Sequence, residues 1–168
     1  MNKLSLKNRY IILYFLPINL ARGGWVVLII DLQQWIQAEF SAIVRVHSIA
    51  TQGRHSHNQW VYLYRITYSL DDIYWTSANS TNGNIFIGNK NRDDQNINLV
   101  DQPFFARFVR LIPVRWEGTI GLRWEIMGCY AQGINLGYFN LTISNCLILN
   151  QYMAMIFQYV YLVPSNSL

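Results

Sequence analysis

This sequence is short of charge, of cysteine and of basic surface, and each shortage closes off a class of function. Asp, Glu, Lys and Arg make up 13% of its 168 residues, and the formal excess of +4 does not lie where a phosphate backbone would be gripped. Between Trp25 and Cys129 nine Lys/Arg are matched by nine Asp/Glu; the surplus is Lys3, Lys7, Arg9 and Arg22, all near the N-terminus. A nucleic-acid binder needs its cations on the working surface, so nucleic acid is set aside as a partner. The two cysteines, Cys129 and Cys146, make no CxxC and no metal-type spacing; they form one disulfide, or neither is paired. No long stretch repeats its apolar residues at helical spacing, which argues against a helical bundle. What the chain has in quantity is aromatic bulk, 15% Phe, Trp and Tyr, and enough length for one domain with a real core. That composition suits a β-rich domain packed with aromatics.

Three zones follow one another. Residues 1–24 are basic and then apolar, "MNKLSLKNR" before "YIILYFLPINLA". This is the order of a secretory leader, although Pro17 interrupts the run and Asn19 makes a poor cleavage end; a degraded first strand is the alternative. Residues 25–129 carry the organised pattern. "TIGLRWEI" places Ile120, Leu122, Trp124 and Ile126 on one side and Gly121, Arg123 and Glu125 on the other, the mark of a strand with one buried face. "VYLYRITYS" sets Tyr62, Tyr64, Ile66 and Tyr68 against Leu63, Arg65, Thr67 and Ser69. "WIQAEF", "VRVHSIAT" and "RFVRLIPV" predict three more strands, separated by the polar clusters "SLDDIYW", "NSTNGN" and "GNKNRDDQN". Short strands with polar turns predict an antiparallel sandwich or barrel. Residues 130–168 hold no charged residue. Within them "CLILNQYMAMIFQYVYLV" is nearly long enough to cross a bilayer, but Asn150, Gln151 and Gln158 interrupt it and no Lys or Arg flanks it. It reads as an uncharged apolar tail, with membrane contact as the alternative.

The stretch with the most chemistry is "TQGRHSHNQW", Thr51 to Trp60. On an extended chain His55 and His57 share a face, but a transition-metal site takes three or four ligands, and the only other histidine is His47 on the preceding strand. Ser56 beside two histidines suggests a nucleophile, yet neighbours on an extended chain point to opposite faces. The stretch therefore reads as a loop tip, with Gly53 permitting the turn into it. Asp93 and Asp94 in "NKNRDDQN" are calcium-type oxygens that read more simply as a solvated turn. Asn79-Ser80-Thr81 and Asn140-Leu141-Thr142 fit the N-glycosylation sequon.

Taken together, the motifs of the middle zone resemble the discoidin domain, also called the coagulation factor 5/8 type C domain. The resemblance runs from about Ala21 to Cys129. It rests on "WIQAEF" ten residues after Trp25, on "TQGR" followed by "QWVYLYRITYSLDDIYW", on "IFIGNKNRDD", and on the closing run "PFFARFVRLIPVRWEGTIGLRWEIMGC". It implies an all-β fold, a jelly-roll-like barrel or sandwich of two packed antiparallel sheets. Ligands would be taken by loops that protrude at one end. On this sequence those loops carry Arg54, His55, Ser56, His57, Asn58 and Trp60, with Tyr14 and Phe15 near the family's first loop. The resemblance also implies framework roles for Arg107, Arg110, Arg123 and Glu125.

Three departures stand out. The family's domain opens with a cysteine that pairs with the one at Cys129, and residues 1–24 contain none; Cys129 is then free or pairs with Cys146. Where the family is polar between the two tryptophans, this chain has "VVLIIDLQQ", an apolar run that should seek burial or aggregate. Asp72 stands where the hairpin usually has glycine, a position needing a left-handed backbone. The expected function is a non-enzymatic, secreted or cell-surface module without a cofactor. Its partner would be a cell-surface or matrix protein, a glycan or a phospholipid head group, with membrane contact through the loops or the tail. The alternative is a truncated or vestigial discoidin fragment with no ligand of its own.

Overall fold

The two segments "WIQAEF" and "VRVHSIAT", expected as separate strands, form one. In the computed structural model, which describes residues 10–13 and 24–130, the chain runs extended from Ile36 to Gly53. Between Phe40 and Val44 there is no Gly, Pro, Asn or Asp, and Ser41 is the one weak turn former. The strand bends instead, through a register shift between Glu39 and Val44. Eight strands are described: β1 Tyr10–Leu13, β2 Gly24–Val27, β3 Ile36–Gly53, β4 Trp60–Ser69, β5 Thr76–Ser77, β6 Phe86–Ile87, β7 Asn96–Glu117 and β8 Gly121–Tyr130. All pairings are antiparallel, in the order β1-β2-β8-β3-β7-β4-β5, with β6 also on β4.

Two long bent strands make the double-layered fold. The first part of β3 pairs with β7 at Ile36↔Leu111, and its second part lies between β7 and β8, at Ile49↔Asn98 and Ile49↔Ile126. β7 likewise lies between β3 and β4 over Phe108–Leu111, then leaves β3 and continues along β4 to Glu117↔Trp60. Each strand thus serves both layers, and the buried side chains Ile36, Phe40, Val46, Ile49, Tyr64, Ile66, Phe86, Val109, Leu111 and Leu122 fill the space between. The layered antiparallel all-β fold expected from the motifs is the one found.

Bulges explain where the alternation fails. A second register shift, between Val46 and Ser48, leaves the exposed His47 unpaired in the ladder and brings Ile49 into the core after Val44 and Val46. In β4, shifts between Val61, Leu63 and Tyr64 put Val61 inside and leave Tyr62 exposed, not on the buried face with Tyr64 and Ile66 as a strict two-residue period predicts. Tyr64 stacks on Phe86 with ring centroids 5.4 Å apart, and its hydroxyl accepts a bond from Asn98 Nδ2 at 3.0 Å. Burial pushes its phenol well above the ordinary tyrosine value, so it stays neutral.

The turn after β4 is fastened from both ends. Asp71 Oδ1 accepts bonds from Ser69 Oγ and from the amides of Ile73 and Tyr74, each at 2.9 Å. Asp72 does take the left-handed backbone, φ 63°. Its amide donates to Ser69 Oγ at 3.0 Å, and its carboxylate meets Arg110 at 3.2 Å. The Arg110 guanidinium lies 4.2 Å from the Trp35 ring centroid and 3.7 Å from that of Trp75, while its Nε donates to Gln37 Oε1 at 2.6 Å. One side chain thereby ties β3, β7 and the turn together, with the family's framework role for Arg110 realised as a stack plus an ion pair. Arg107 meets Glu39 at 3.7 Å and donates to the Phe40 carbonyl at 2.8 Å.

Replacing Arg110 by alanine should cost roughly 2–3 kcal/mol, since both ring contacts and a charged hydrogen bond go together. Arg110→Lys should recover less than half of this, because an ammonium cannot lie flat between two indoles; urea unfolding followed by tryptophan fluorescence measures both. Asp71 gives a pH test. The backbone amides of Tyr74 and Ile73 hold its carboxyl below the ordinary carboxylate range. A lowered folded-state value means that its contribution is complete above the ordinary range, about pH 4, and is lost as pH falls through the lowered value. Asp71→Ala should therefore lower the urea midpoint at neutral pH, and the gap from the parent should close on acidification.

Candidate functional site

Gly53, the last residue of β3, is where three backbones meet. A Cβ there would run into the Arg92 main chain and come within 2.9 Å of the Gln59 carbonyl oxygen. The glycine is required by this close approach; its own φ is not in the left-handed region, so the expectation of a turn-permitting Gly53 is replaced by one of crowding. The chain then turns over Arg54–Gln59, closed by Arg54 N donating to Gln59 O at 2.9 Å and braced by Arg54 Nη1 donating to Gln59 Oε1 at 2.8 Å. Ser56 at the tip has φ 65°.

Three further segments reach the same end. The β7–β8 turn passes through Gly118, φ 65°, where a Cβ would lie 3.0 Å from the Asn58 carbonyl oxygen. The segment from Gly88 to Gln95 folds over β3 and β8, held by its carbonyls and by the Asn89 side chain. Asn89 Nδ2 donates to Thr51 O at 3.0 Å and to Asp94 O at 2.8 Å, and Gln52 Nε2 donates to Asp93 O. Arg123, expected on the open face of its strand, is buried under this segment. Its Nε donates to Gly53 O at 2.7 Å and its Nη2 to Arg92 O at 3.1 Å. Desolvation lowers the guanidinium pKa while the charge of Asp93 opposes that shift; arginine starts so high that it stays protonated. β2 arrives beside Ile120, whose carbonyl accepts Val27 N at 3.2 Å. Beyond it Leu28, Ile29, Ile30 and Leu32 are between 52% and 69% exposed. The apolar run was expected to seek burial or aggregate; of its apolar residues only Val27 is buried, with Val26 half-buried.

Of the residues predicted for the loops, Arg54, His55, Ser56, His57, Asn58 and Trp60 are brought together. His55 to Asn58 are exposed, while Arg54 and Trp60 are half-buried. Tyr14 and Phe15 lie outside the described residues, as do Asn140 and Cys146; Asn79 is exposed, and Cys129 is disulfide-bonded. Not foreseen as part of this end were Arg92 with its segment and the aliphatic run. The first left no signal beyond its turn residues, because nothing local says which strand a loop will cover.

The arrangement is a display surface. His55 and His57 sit on a turn, not on one face of a strand as the metal argument assumed. Among the described residues no group of three or more His, Cys, Asp or Glu could hold a metal ion. Because the backbone turns, Ser56 Oγ does reach His55 Nδ1, at 2.5 Å, against the expectation that neighbours diverge. Among the described residues no carboxylate bonds either ring. Asp93 and Asp94 are engaged locally: Asn91 Oδ1 accepts both their amides, at 2.8 and 2.7 Å, Asn91 Nδ2 donates to Asp94 Oδ2, and Arg92 pairs with Asp93 at 3.2 Å. That is a self-contained turn.

Comparison with known proteins agrees with this architecture. The model of the F5/8 type C domain matches residues 18–126. Pig (Sus scrofa) lactadherin is 36% identical over 112 residues, 64% of this chain and 27% of that protein. Human (Homo sapiens) retinoschisin is 32% identical over 112 residues, 65% of this chain and 50% of that protein. The solved structure of wild-type discoidin II from Dictyostelium discoideum superposes with a TM-score of 0.58 at 32% identity, covering 62% of this chain and 40% of that one. The chain thus spans between about a quarter and a half of the length of these curated relatives.

Gly53→Ala should force Arg92 and Gln59 apart and cost roughly 1–3 kcal/mol, as overpacking does. Amide exchange should speed up in the turn at Arg54–Gln59 and in the segment at Gly88–Gln95 together, and stay slow in β4.

Proposed function

The chain belongs to the F5/8 type C domain family, and on that footing we propose that it is an extracellular binding module. It recognises a cell-surface or matrix ligand (a protein, a glycan or a phospholipid head group) through the end of the fold where the four segments meet. The module is non-enzymatic and needs no cofactor. The observation that carries this reading is the contrast between base and tip. Gly53, Arg123, Gln52 and Asn89 hold the base by buried contacts, while His55, Ser56, His57 and Asn58 stand exposed on top of it. Relatives such as lactadherin and retinoschisin share this domain. Placement on the cell surface or in the matrix, and the ligand itself, are our proposal for this chain.

Between Trp25 and Cys129 the charges balance, which favours a protein or glycan over attraction to anionic lipid by charge alone. The exposed aliphatics from Leu28 to Leu32 give phospholipid contact a foothold of its own. A glycan and matrix-protein array, run beside co-sedimentation with neutral and anionic liposomes, separates the two. A His55→Ala/His57→Ala/Asn58→Ala variant removes only exposed side chains and should keep its circular dichroism. It should lose at least tenfold in affinity, about 1.4 kcal/mol, for the ligand found on the array. Leu28→Ser/Ile30→Ser should lose liposome binding alone. A folded parent chain that ignores every ligand class would favour a vestigial fragment over this reading.

A further inference from the structure

We propose that Asn79 carries an N-linked glycan, and that this glycan stands on the flank of the fold, shielding an apolar strip and leaving the turn end open. The proposal rests on the extracellular reading above. A sequon is a triplet and by itself says little; the geometry of this one says more. Ser80, the middle residue, is buried and is the anchor. Its amide donates to Gly83 O at 2.7 Å, its hydroxyl donates to Ile85 O at 2.7 Å, and the hydroxyl oxygen accepts Asn82 N at 3.1 Å. The flanking Asn79 and Thr81 are both exposed. The carboxamide that would be glycosylated and the hydroxyl that defines the acceptor are thus offered to solvent, one on each side of a fixed pivot. The Asn79 side chain makes no hydrogen bond among the described residues, while its carbonyl is used, accepting Asp101 N at 2.8 Å. A sugar on Nδ2 displaces nothing that the fold needs.

The position of the site gives it a purpose. The amide of Ala78, next to Asn79, donates to Ile66 O at 2.9 Å. Ile66 is six residues along β4 from Trp60, so at ~3.3 Å per residue the site lies about 20 Å from the turn end. Asp101, bonded to Asn79, is two residues along β7 from Leu99. Leu99, Ile97 and Ile87 are all exposed, and Ile87 is held beside β7 by Asn96 and Asn98, whose side chains donate to its carbonyl at 2.7 Å. A polar, branched glycan rooted at Asn79 covers this strip, an edge that would otherwise invite association.

The test places the full chain behind a cleavable heterologous signal sequence in a glycosylating cell line. This delivers it to the secretory pathway whatever its own leader does. Peptide mapping after amidase release in heavy-oxygen water should show Asn79 converted to oxygen-labelled aspartate. Occupancy should vanish in both Asn79→Gln and Thr81→Ala and persist in Thr81→Ser. Native deglycosylation should raise binding of an apolar dye, and Leu99→Ser/Ile97→Ser should abolish that rise. An unoccupied Asn79 in secreted, folded chain overturns the proposal, and unchanged dye binding on deglycosylation overturns the shielding. The ligand array on the same material reports separately on the binding reading, so failure of one is not failure of the other.

Discussion

The crowding at Gly53 is the constraint on which the candidate site depends. Where β3 ends, the main chains of Arg92 and Gln59 approach so closely that no side chain fits. That approach lets Gly53 O accept from Arg123 and Arg54 N reach Gln59 O, so one missing methyl group joins the turn, the covering segment and the two strands beneath. A larger residue would not merely be strained. It would pry the covering segment from the sheet and expose a guanidinium whose bonds are formed in its shelter. Close approach of backbones and burial of charge support each other here, and neither would persist alone.

Much of the fold was legible because the motifs carry their own periodicity. Ile120, Leu122 and Ile126 alternate inward along or just before β8, as the sequence predicts. The misreadings have physical causes. The sequence puts Tyr62 on one face with Tyr64 and Ile66 because a two-residue period has no means of announcing a bulge, and the shift between Val61 and Leu63 separates it from them. Two strands were expected where β3 is one, because a bend made by register slippage leaves no glycine or proline behind. Arg123 was placed on an open face because whether a strand face is open depends on a loop some thirty residues earlier in the chain. Of the site, the exposed tip at His55 to Asn58 was legible from turn chemistry. The covering segment and the exposed aliphatics were not, since non-local packing decides both.

Asp72 shows how a local violation is absorbed. A left-handed backbone at a residue with a Cβ costs about 1 kcal/mol, and glycine would avoid it. The carboxylate that glycine lacks meets Arg110, which Trp35 and Trp75 hold in place. The ion pair offsets the strain, and the two rings hold the cation in place for the acid. The substitution is therefore a local conflict resolved by tertiary contacts.

The covering segment is anchored by its main chain. Arg123 and Gln52 grip the carbonyl oxygens of Arg92 and Asp93, and Asn89 alone uses its side chain, on Thr51 O; every amino acid possesses a carbonyl. Asn89 apart, the grip is blind to which side chains ride above it. Lys90, Arg92 and Asp93 can accordingly be exchanged with little consequence for the scaffold, so the chemistry presented by this segment can drift toward new ligands while its path through space stays fixed.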